Sequence, residues 1–231
     1  FSLVYVLTVR ITRTPLISWL ATLAVATTAT AFIYATEVYP EVPAALTLII
    51  ALLIIQGIDR PGIFRAIGLV TCLTAMAWLG VKYVPLAGLV AVWGICYMDR
   101  SMRTWFLLAT SLSAGIFVWF HLETFGGLTP YSVNLVYSGE GTISIIGEHL
   151  DFRERFYRLL GLFVDERFGV ARWAPIILFV IPAIPLLWKN DSLCRLVSIL
   201  ITTQILIATF VAITMMGWWF PGRTIVTVLP L

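Results

Sequence analysis

Long apolar stretches, separated by short polar segments, run through most of the chain. They lack the strict alternation of apolar and polar residues that a membrane β-strand shows, and most could cross hydrocarbon as a helix. Backbone groups in hydrocarbon must be hydrogen-bonded internally, which also favours helices. We predict an all-α, polytopic transmembrane protein that forms one domain over 1–231. A partial span at 1–9 is followed by seven spans: 15–36, 42–57, 66–81, 83–98, 104–122, 173–188 and 196–216.

The longest polar segment, residues 123–172, contains one amphipathic pattern. Apolar residues recur there at helical spacing, while the positions between them are mostly charged. This pattern predicts a helix over about 150–163 that lies along the membrane surface with its apolar side down. The apolar positions are Phe152, Phe156, Leu159, Leu160 and Phe163, and the polar face includes Arg153, Arg155 and Arg158.

Composition supports a membrane protein and excludes several other classes. The chain is 60% hydrophobic and 12% charged, with a mean hydropathy of +0.98, outside the range of soluble domains. A net charge of +3 without a basic tract gives no indication of nucleic-acid binding. The loops at 10–13, 60–65, 100–103 and 189–195 each carry two basic residues, which by the positive-inside rule makes them cytoplasmic. Segment 123–172 is then extracytoplasmic.

Three charged residues stand at the outer ends of short predicted spans. Spans of this length reach about 24 Å as helices, against a hydrocarbon core of about 30 Å. Glu37, Glu41 and Lys82 could therefore line a recessed, water-filled cavity that opens outward. The alternative is that Glu41 stabilises a helix N-terminus, Glu37 lies among headgroups and Lys82 extends to the membrane surface.

Two further groups could bind a ligand. His121 and His149 each lie two residues from an acid, and either pair could contribute to a site for a divalent metal ion. Asp165, Arg167 and Arg172 flank the return of the chain to the membrane. They could form the rim of a site for an anionic substrate or an interfacial salt-bridge cluster. Motifs typical of hydrolases, P-loop NTPases and dinucleotide-binding proteins are missing from the sequence.

Several segments together resemble bacterial polytopic glycosyltransferases of the GT-C superfamily, which includes protein mannosyltransferases and the lipid A aminoarabinose transferase. In chain order these are YATEVYPEVPAAL, AWLGVKYVPLA, WFHLETFGGLTPYS, GLFVDERFGVARWAPIILFVIPAIPLL and WWFPGRTIVTVLPL. The resemblance implies transfer of a sugar from a polyprenyl-phosphate donor at the outer face of the bacterial plasma membrane. It also implies that Glu41, with Glu37 second, is a catalytic acid near the cavity. Lys82 would then meet the donor phosphate, and a divalent metal ion could take part.

The resemblance also implies a gap. The principal catalytic acid of this superfamily lies in an earlier outer loop, which would precede Phe1. We therefore interpret the chain as a fragment, inactive alone, of a longer enzyme. Two alternatives are a transporter or lipid-carrier flippase, in which Glu37, Glu41 and Lys82 line a substrate path, and a non-catalytic membrane subunit of a larger complex.

Overall fold

The computed structural model describes residues 1–57, 62–130, 152–211 and 220–231. All regular structure in these ranges is helical, which confirms the predicted all-α class. The α-helices in chain order are α1 (Ser2–Thr12), α2 (Pro15–Ala26), α3 (Ala29–Thr36), α4 (Glu41–Ile55), α5 (Ile63–Leu79), α6 (Val84–Tyr97), α7 (Arg100–Phe125), α8 (Phe152–Arg155), α9 (Tyr157–Val164), α10 (Val180–Trp188) and α11 (Ser192–Leu206). Short 3₁₀ turns cover Val81–Tyr83, Val170–Arg172, Pro175–Phe179 and Arg223–Ile225, and a π turn follows α11 at Ile207–Val211.

Two helices of the described ranges are long and apolar enough to cross a membrane. They are α7 and α11 with its π extension, Ser192–Val211. Helices α2 and α3 reach that length only as a pair, and they are bent by 68°. The other apolar helices are shorter. These helices are compatible with a membrane protein, and the number of seven spans stays a prediction.

Local sequence explains where several helices begin and end. Asp99 caps α7 by accepting the N–H of Met102 at 2.8 Å, and Gly126, at φ 67°, ends it. Asp191 caps α11 in the same way through Cys194, at 2.9 Å. The predicted span 15–36 is broken because Thr28 caps a new helix, α3, through the N–H of Ala31.

The core is centred on α4, which packs against α1, α5 and α6. After Glu41 this helix carries no charged residue, so nearly every side is apolar. Its buried positions meet those of α5, α6 and α11 in one cluster, which includes Leu48, Leu52, Leu69, Met76, Leu86, Val90, Leu196 and Leu200. Helix α7 contacts α5 but leaves most of its apolar surface exposed, with Trp105, Leu112 and Trp119 more than 60% accessible.

The amphipathic segment forms two short helices, α8 and α9, interrupted at Phe156. Phe152, Phe156 and Leu160 are exposed, as expected for an apolar face turned toward a membrane. Two positions differ from the prediction of a single surface helix. Phe163 is buried in a second core cluster. Arg155 is buried as well, and its guanidinium donates a hydrogen bond to the carbonyl of Phe210 at 2.8 Å.

Candidate functional site at the start of helix α4

Glu41 is the first residue of α4 and its side chain is fully enclosed. Pro40, with φ −70°, is the N-cap, and a proline is well tolerated at a helix start because its missing N–H would have no partner there. A carboxylate in the first turn meets the positive end of the helix dipole. The relative exposure of Glu41 is 0%, which is unusual for an ionisable group and requires compensation by nearby cations.

The first compensating cation is Lys82. It lies in the 3₁₀ turn that joins α5 to α6, and its Nζ atom is 2.6 Å from Oε1 of Glu41. The lysine side chain is 34% exposed, whereas that of Glu41 is 1% exposed. The structure thus brings together two of the three charges predicted to share a site.

The second compensating cation is Arg223, which the sequence analysis did not select as a site residue. Its Nε donates to the same oxygen, Oε1 of Glu41, at 2.7 Å. The guanidinium also lies 4.3 Å from the ring centre of Tyr39, which is close enough for a cation–π interaction. Arg223 follows Gly222, whose φ of 88° suits glycine, and a Cβ atom there would lie 2.8 Å from Thr30 and Val170 side-chain carbons.

Helix α3 holds the segment that carries Arg223. The hydroxyl of Tyr34 donates to the carbonyl of Phe220, and that of Thr30 donates to the carbonyl of Pro221 at 3.4 Å. The ring of Phe220 also makes an edge contact with Trp173, at 4.9 Å between ring centres. Arg223 is therefore positioned by side chains that come from α3 and from the segment just after α9.

The three charges form an unequal group that we call the Glu41 cluster, consisting of Glu41, Lys82 and Arg223. Two cations face one carboxylate, so the cluster carries a net charge of +1. Both cations bond to Oε1, while Oε2 is buried and accepts no hydrogen bond from the part of the chain that the structure describes. A buried oxygen left in this way is costly unless it serves a ligand or a water molecule.

Glu37, the other predicted acid, lies outside this group. It is the C-cap of α3, is exposed, and forms no ion pair within the described ranges. Its backbone carbonyl accepts the N–H of Tyr39 at 3.0 Å. A catalytic role for Glu37 stays a prediction, without support from its position.

The predicted rim residues form an exposed turn beside the Arg223 segment. Oδ1 of Asp165 accepts the N–H groups of Arg167 and Phe168, at 2.9 and 2.7 Å. Arg172 donates to the carbonyl of Glu166 at 3.3 Å and lies over the ring of Trp173. No salt bridge links these residues to one another among the described positions, so a salt-bridge cluster is not what shapes the turn.

The suggested metal site is described only in part, through His121. His121 is 4% exposed, bonds through Nδ1 to the carbonyl of Phe117, and lies among aromatic rings that include Trp78 and Phe125. Within the described ranges no three His, Cys, Asp or Glu side chains come together as a metal-binding group. His149 lies outside those ranges. A divalent metal ion therefore stays a prediction, and no chemical step is derived through it.

The chain matches no known family model, no curated protein and no solved structure. Its function must therefore be argued from the chemistry of the cluster itself. One signal in the sequence could have identified Arg223 as a site residue. It is the one charged residue in the run WWFPGRTIVTVLPL. A cation in such surroundings needs a counter-charge, although the sequence does not say which acid supplies it.

Proposed function

We propose that the chain is part of a GT-C-like membrane glycosyltransferase that transfers a sugar from a polyprenyl-phosphate donor to an acceptor. The reaction takes place at the extracytoplasmic face of the bacterial plasma membrane, in a protein with the seven spans predicted above. The observation that carries the proposal is the convergence of Lys82 and Arg223 on the enclosed carboxylate of Glu41, at 2.6 and 2.7 Å. The sequence resemblance adds support because it assigned Glu41 and Lys82 to the same site.

The two cations are suited to the phosphate of the donor. Their side chains are 34% and 23% exposed, so each is bonded to the buried Glu41 and is still partly accessible to a ligand. A guanidinium forms planar, two-point hydrogen bonds with phosphate oxygens, and an ammonium adds a compact charge. Because Glu41 neutralises only one of them, the cluster attracts an anion and stabilises the negative charge that develops on the departing phosphate.

Glu41 has two roles in this proposal, one for each carboxylate oxygen. Oε1 holds the two cations in place. Oε2, which is enclosed and has no partner among the described residues, becomes accessible when the substrates bind and accepts the proton of the acceptor hydroxyl. The hydroxyl oxygen then bonds to the anomeric carbon of the sugar, the bond from that carbon to the phosphate oxygen breaks, and the polyprenyl phosphate leaves with the electron pair. Proton transfer of this kind typically contributes about 10²–10⁴-fold to the rate.

The turn that contains Asp165, Arg167 and Arg172 serves as the rim on the side of the sugar or the acceptor. It adjoins the segment of Arg223, since Val170 touches the position of Gly222 and Trp173 contacts Phe220. Substitutions in this turn should therefore alter acceptor use, while substitutions of Lys82 should alter donor binding.

The test is a steady-state assay of the parent protein with a polyprenyl-phosphate sugar. Lys82→Met and Arg223→Met should raise KM for the donor about tenfold each, equivalent to the loss of one charged hydrogen bond. Glu41→Gln should lower kcat. Lys189→Met is the matched control, because Lys189 is an exposed lysine beyond α10, remote in sequence from the cluster.

Two results would refute the proposal. Unchanged KM in both cation variants would show that Lys82 and Arg223 do not bind the donor phosphate. Unchanged kcat in Glu41→Gln would show that Glu41 is not the proton acceptor. Donor that is moved across the bilayer without product formation would instead indicate a lipid-carrier flippase.

A further inference from the structure

A cavity of about 420 Å³ lies at the end of the helices opposite the Glu41 cluster. Its lining comes from the last turn of α1, the last turns of α4 and α6, and the first turn of α11. The size falls within the range of sites for small organic ligands. The residues that give it chemical character are Arg10, Gln56, Trp93, Tyr97, Asp191 and Ser192.

Opposite charges line this cavity without being paired to each other. Arg10 is exposed and donates to the side-chain oxygen of Gln56 at 2.9 Å. Asp191 is held at the start of α11 by the N–H of Cys194. Within the described ranges neither residue takes part in a salt bridge. The cavity thus presents a guanidinium bonded to an amide oxygen and a carboxylate bonded to a backbone N–H, with Arg13 near enough to act electrostatically on Asp191.

Neutral polar and aromatic groups complete the lining. Tyr97 and Ser192 share a hydrogen bond between their hydroxyl groups, and the rings of Trp93 and Tyr97 lie 6.4 Å apart. Aromatic faces beside a carboxylate are a favourable environment for an ammonium group. Arginine supported by an amide oxygen is a favourable partner for a phosphate.

The walls behind these polar groups are apolar. Helix α6 carries no charged residue from Val84 to Tyr97, and its Val92 side chain is 61% exposed. A ligand that places its polar end in the cavity and its remainder along this exposed face of α6 would be an amphiphile. This arrangement favours a membrane lipid over a small water-soluble molecule.

We propose that this cavity binds the headgroup of a zwitterionic phospholipid that has a phosphate and a primary ammonium, as in phosphatidylethanolamine. Arg10 bonds the phosphate, and Asp191, with the rings of Trp93 and Tyr97, holds the ammonium. A purely anionic headgroup would place a like charge beside Asp191 with no ammonium to offset it. The inference does not depend on the proposed transfer reaction.

The experiment is native mass spectrometry of the delipidated protein in detergent, titrated with phosphatidylethanolamine or phosphatidylglycerol of the same acyl chains. The wild type should bind phosphatidylethanolamine about tenfold more tightly, the effect of one charge-assisted contact. Arg10→Gln should weaken both lipids by a similar factor. Asp191→Asn should abolish only the preference for phosphatidylethanolamine, because asparagine still caps the helix but carries no charge.

Matched controls exist within the chain. Asp99→Asn changes a cap of the same chemistry at the start of α7, and Arg100→Gln changes an exposed arginine beside it. Both variants should bind lipid like the wild type. Equal binding of the two lipids by the wild type would overturn the proposal, as would a preference that survives Asp191→Asn. Displacement by free O-phosphoethanolamine at the same concentration as the lipid would instead indicate a soluble ligand, and would overturn the lipid assignment.

Discussion

Removing both cations of the Glu41 cluster should destabilise the protein more than removing either cation alone. The single variants are Lys82→Met and Arg223→Met, and the double variant combines them. In each single variant Oε1 of Glu41 keeps one charged donor, at 2.6 or 2.7 Å in the wild type. In the double variant a carboxylate that is 1% exposed keeps neither of them.

The exposure of each side chain sets the expected loss of unfolding free energy. The Lys82 side chain is 34% exposed, so water screens that pair and its loss should cost about 1 kcal/mol of unfolding free energy. Arg223 is 23% exposed and should cost about 1.5–3 kcal/mol, typical of a hydrogen bond to a charged group. The double variant should lose about 3–5 kcal/mol, because it leaves a buried charge uncompensated.

The triple variant, which adds Glu41→Gln to the double variant, distinguishes this account from simple loss of contacts. It removes the uncompensated charge and should be more stable than the double variant, although one more native side chain has been replaced. The measurement is reversible unfolding in mixed micelles of dodecyl sulfate, followed by tryptophan fluorescence. Glu37→Gln, at an exposed carboxylate, is the control and should change stability by less than about 0.5 kcal/mol. A triple variant no more stable than the double variant would refute the reasoning, since Glu41 would then be hydrated and not buried.

Three further predictions concern a helix cap, a tight turn and the orientation of the chain. Asp191→Ala should cost about 0.5–2 kcal/mol and Asp191→Asn much less, measured by the same unfolding assay. The hydrogen bond from the backbone N–H of Cys194 lowers the pKa of Asp191. The ionised side chain therefore adds to the free energy of unfolding at neutral pH, and this contribution is lost as the pH falls through the lowered pKa. A stability difference between the wild type and Asp191→Asn that did not shrink in acid would contradict this. Gly222→Ala should destabilise by about 1–3 kcal/mol, because φ is 88° and the new methyl group would lie 2.8 Å from two side-chain carbons. Gly115→Ala, in the open middle of α7, should instead stabilise by about 0.5–1 kcal/mol, and equal effects at the two glycines would contradict the turn geometry. A cysteine placed at Gly139, which lies outside the described residues, should react with an impermeant reagent in whole cells, whereas labelling only after lysis would invert the predicted orientation.

Local signals in the sequence were sufficient for several helices. The observed helix Glu41–Ile55 agrees with the predicted span 42–57 to within two residues, and the proline before it and its first acidic residue both favour a helix N-terminus. Helix α7, Arg100–Phe125, contains the whole predicted span 104–122. These elements are determined by residues within or beside them.

Features that depend on distant residues could not be predicted in the same way. The apolar run 15–36 is long enough for one helix, but the hydroxyl groups of Thr27 and Thr28 bond to the carbonyls of Leu23 and Val25 at the bend. The break is completed by the carbonyl of Trp173, which accepts the N–H of Ala29 at 3.1 Å. Sequence periodicity contains no information about such a contact.

The pairing of Glu41 with Arg223 is the clearest example. The two residues are 182 positions apart, and hydropathy alone could not choose between Glu37 and Glu41 as the buried acid. The sequence indicated that Glu37, Glu41 and Lys82 could line one cavity. The structure joins Glu41 and Lys82 in a salt bridge, leaves Glu37 outside this contact and adds the arginine.

The bend between α2 and α3 has a consequence for the end of the molecule that holds the Glu41 cluster. Thr30 and Tyr34 lie one helical turn apart on α3. Their hydroxyl groups donate hydrogen bonds to two successive backbone carbonyls of the segment that carries Arg223. Helix α3 thus links the angle of the bend to the position of Arg223. A change in that angle would shift the arginine relative to Glu41, and with it the positive charge that faces the carboxylate.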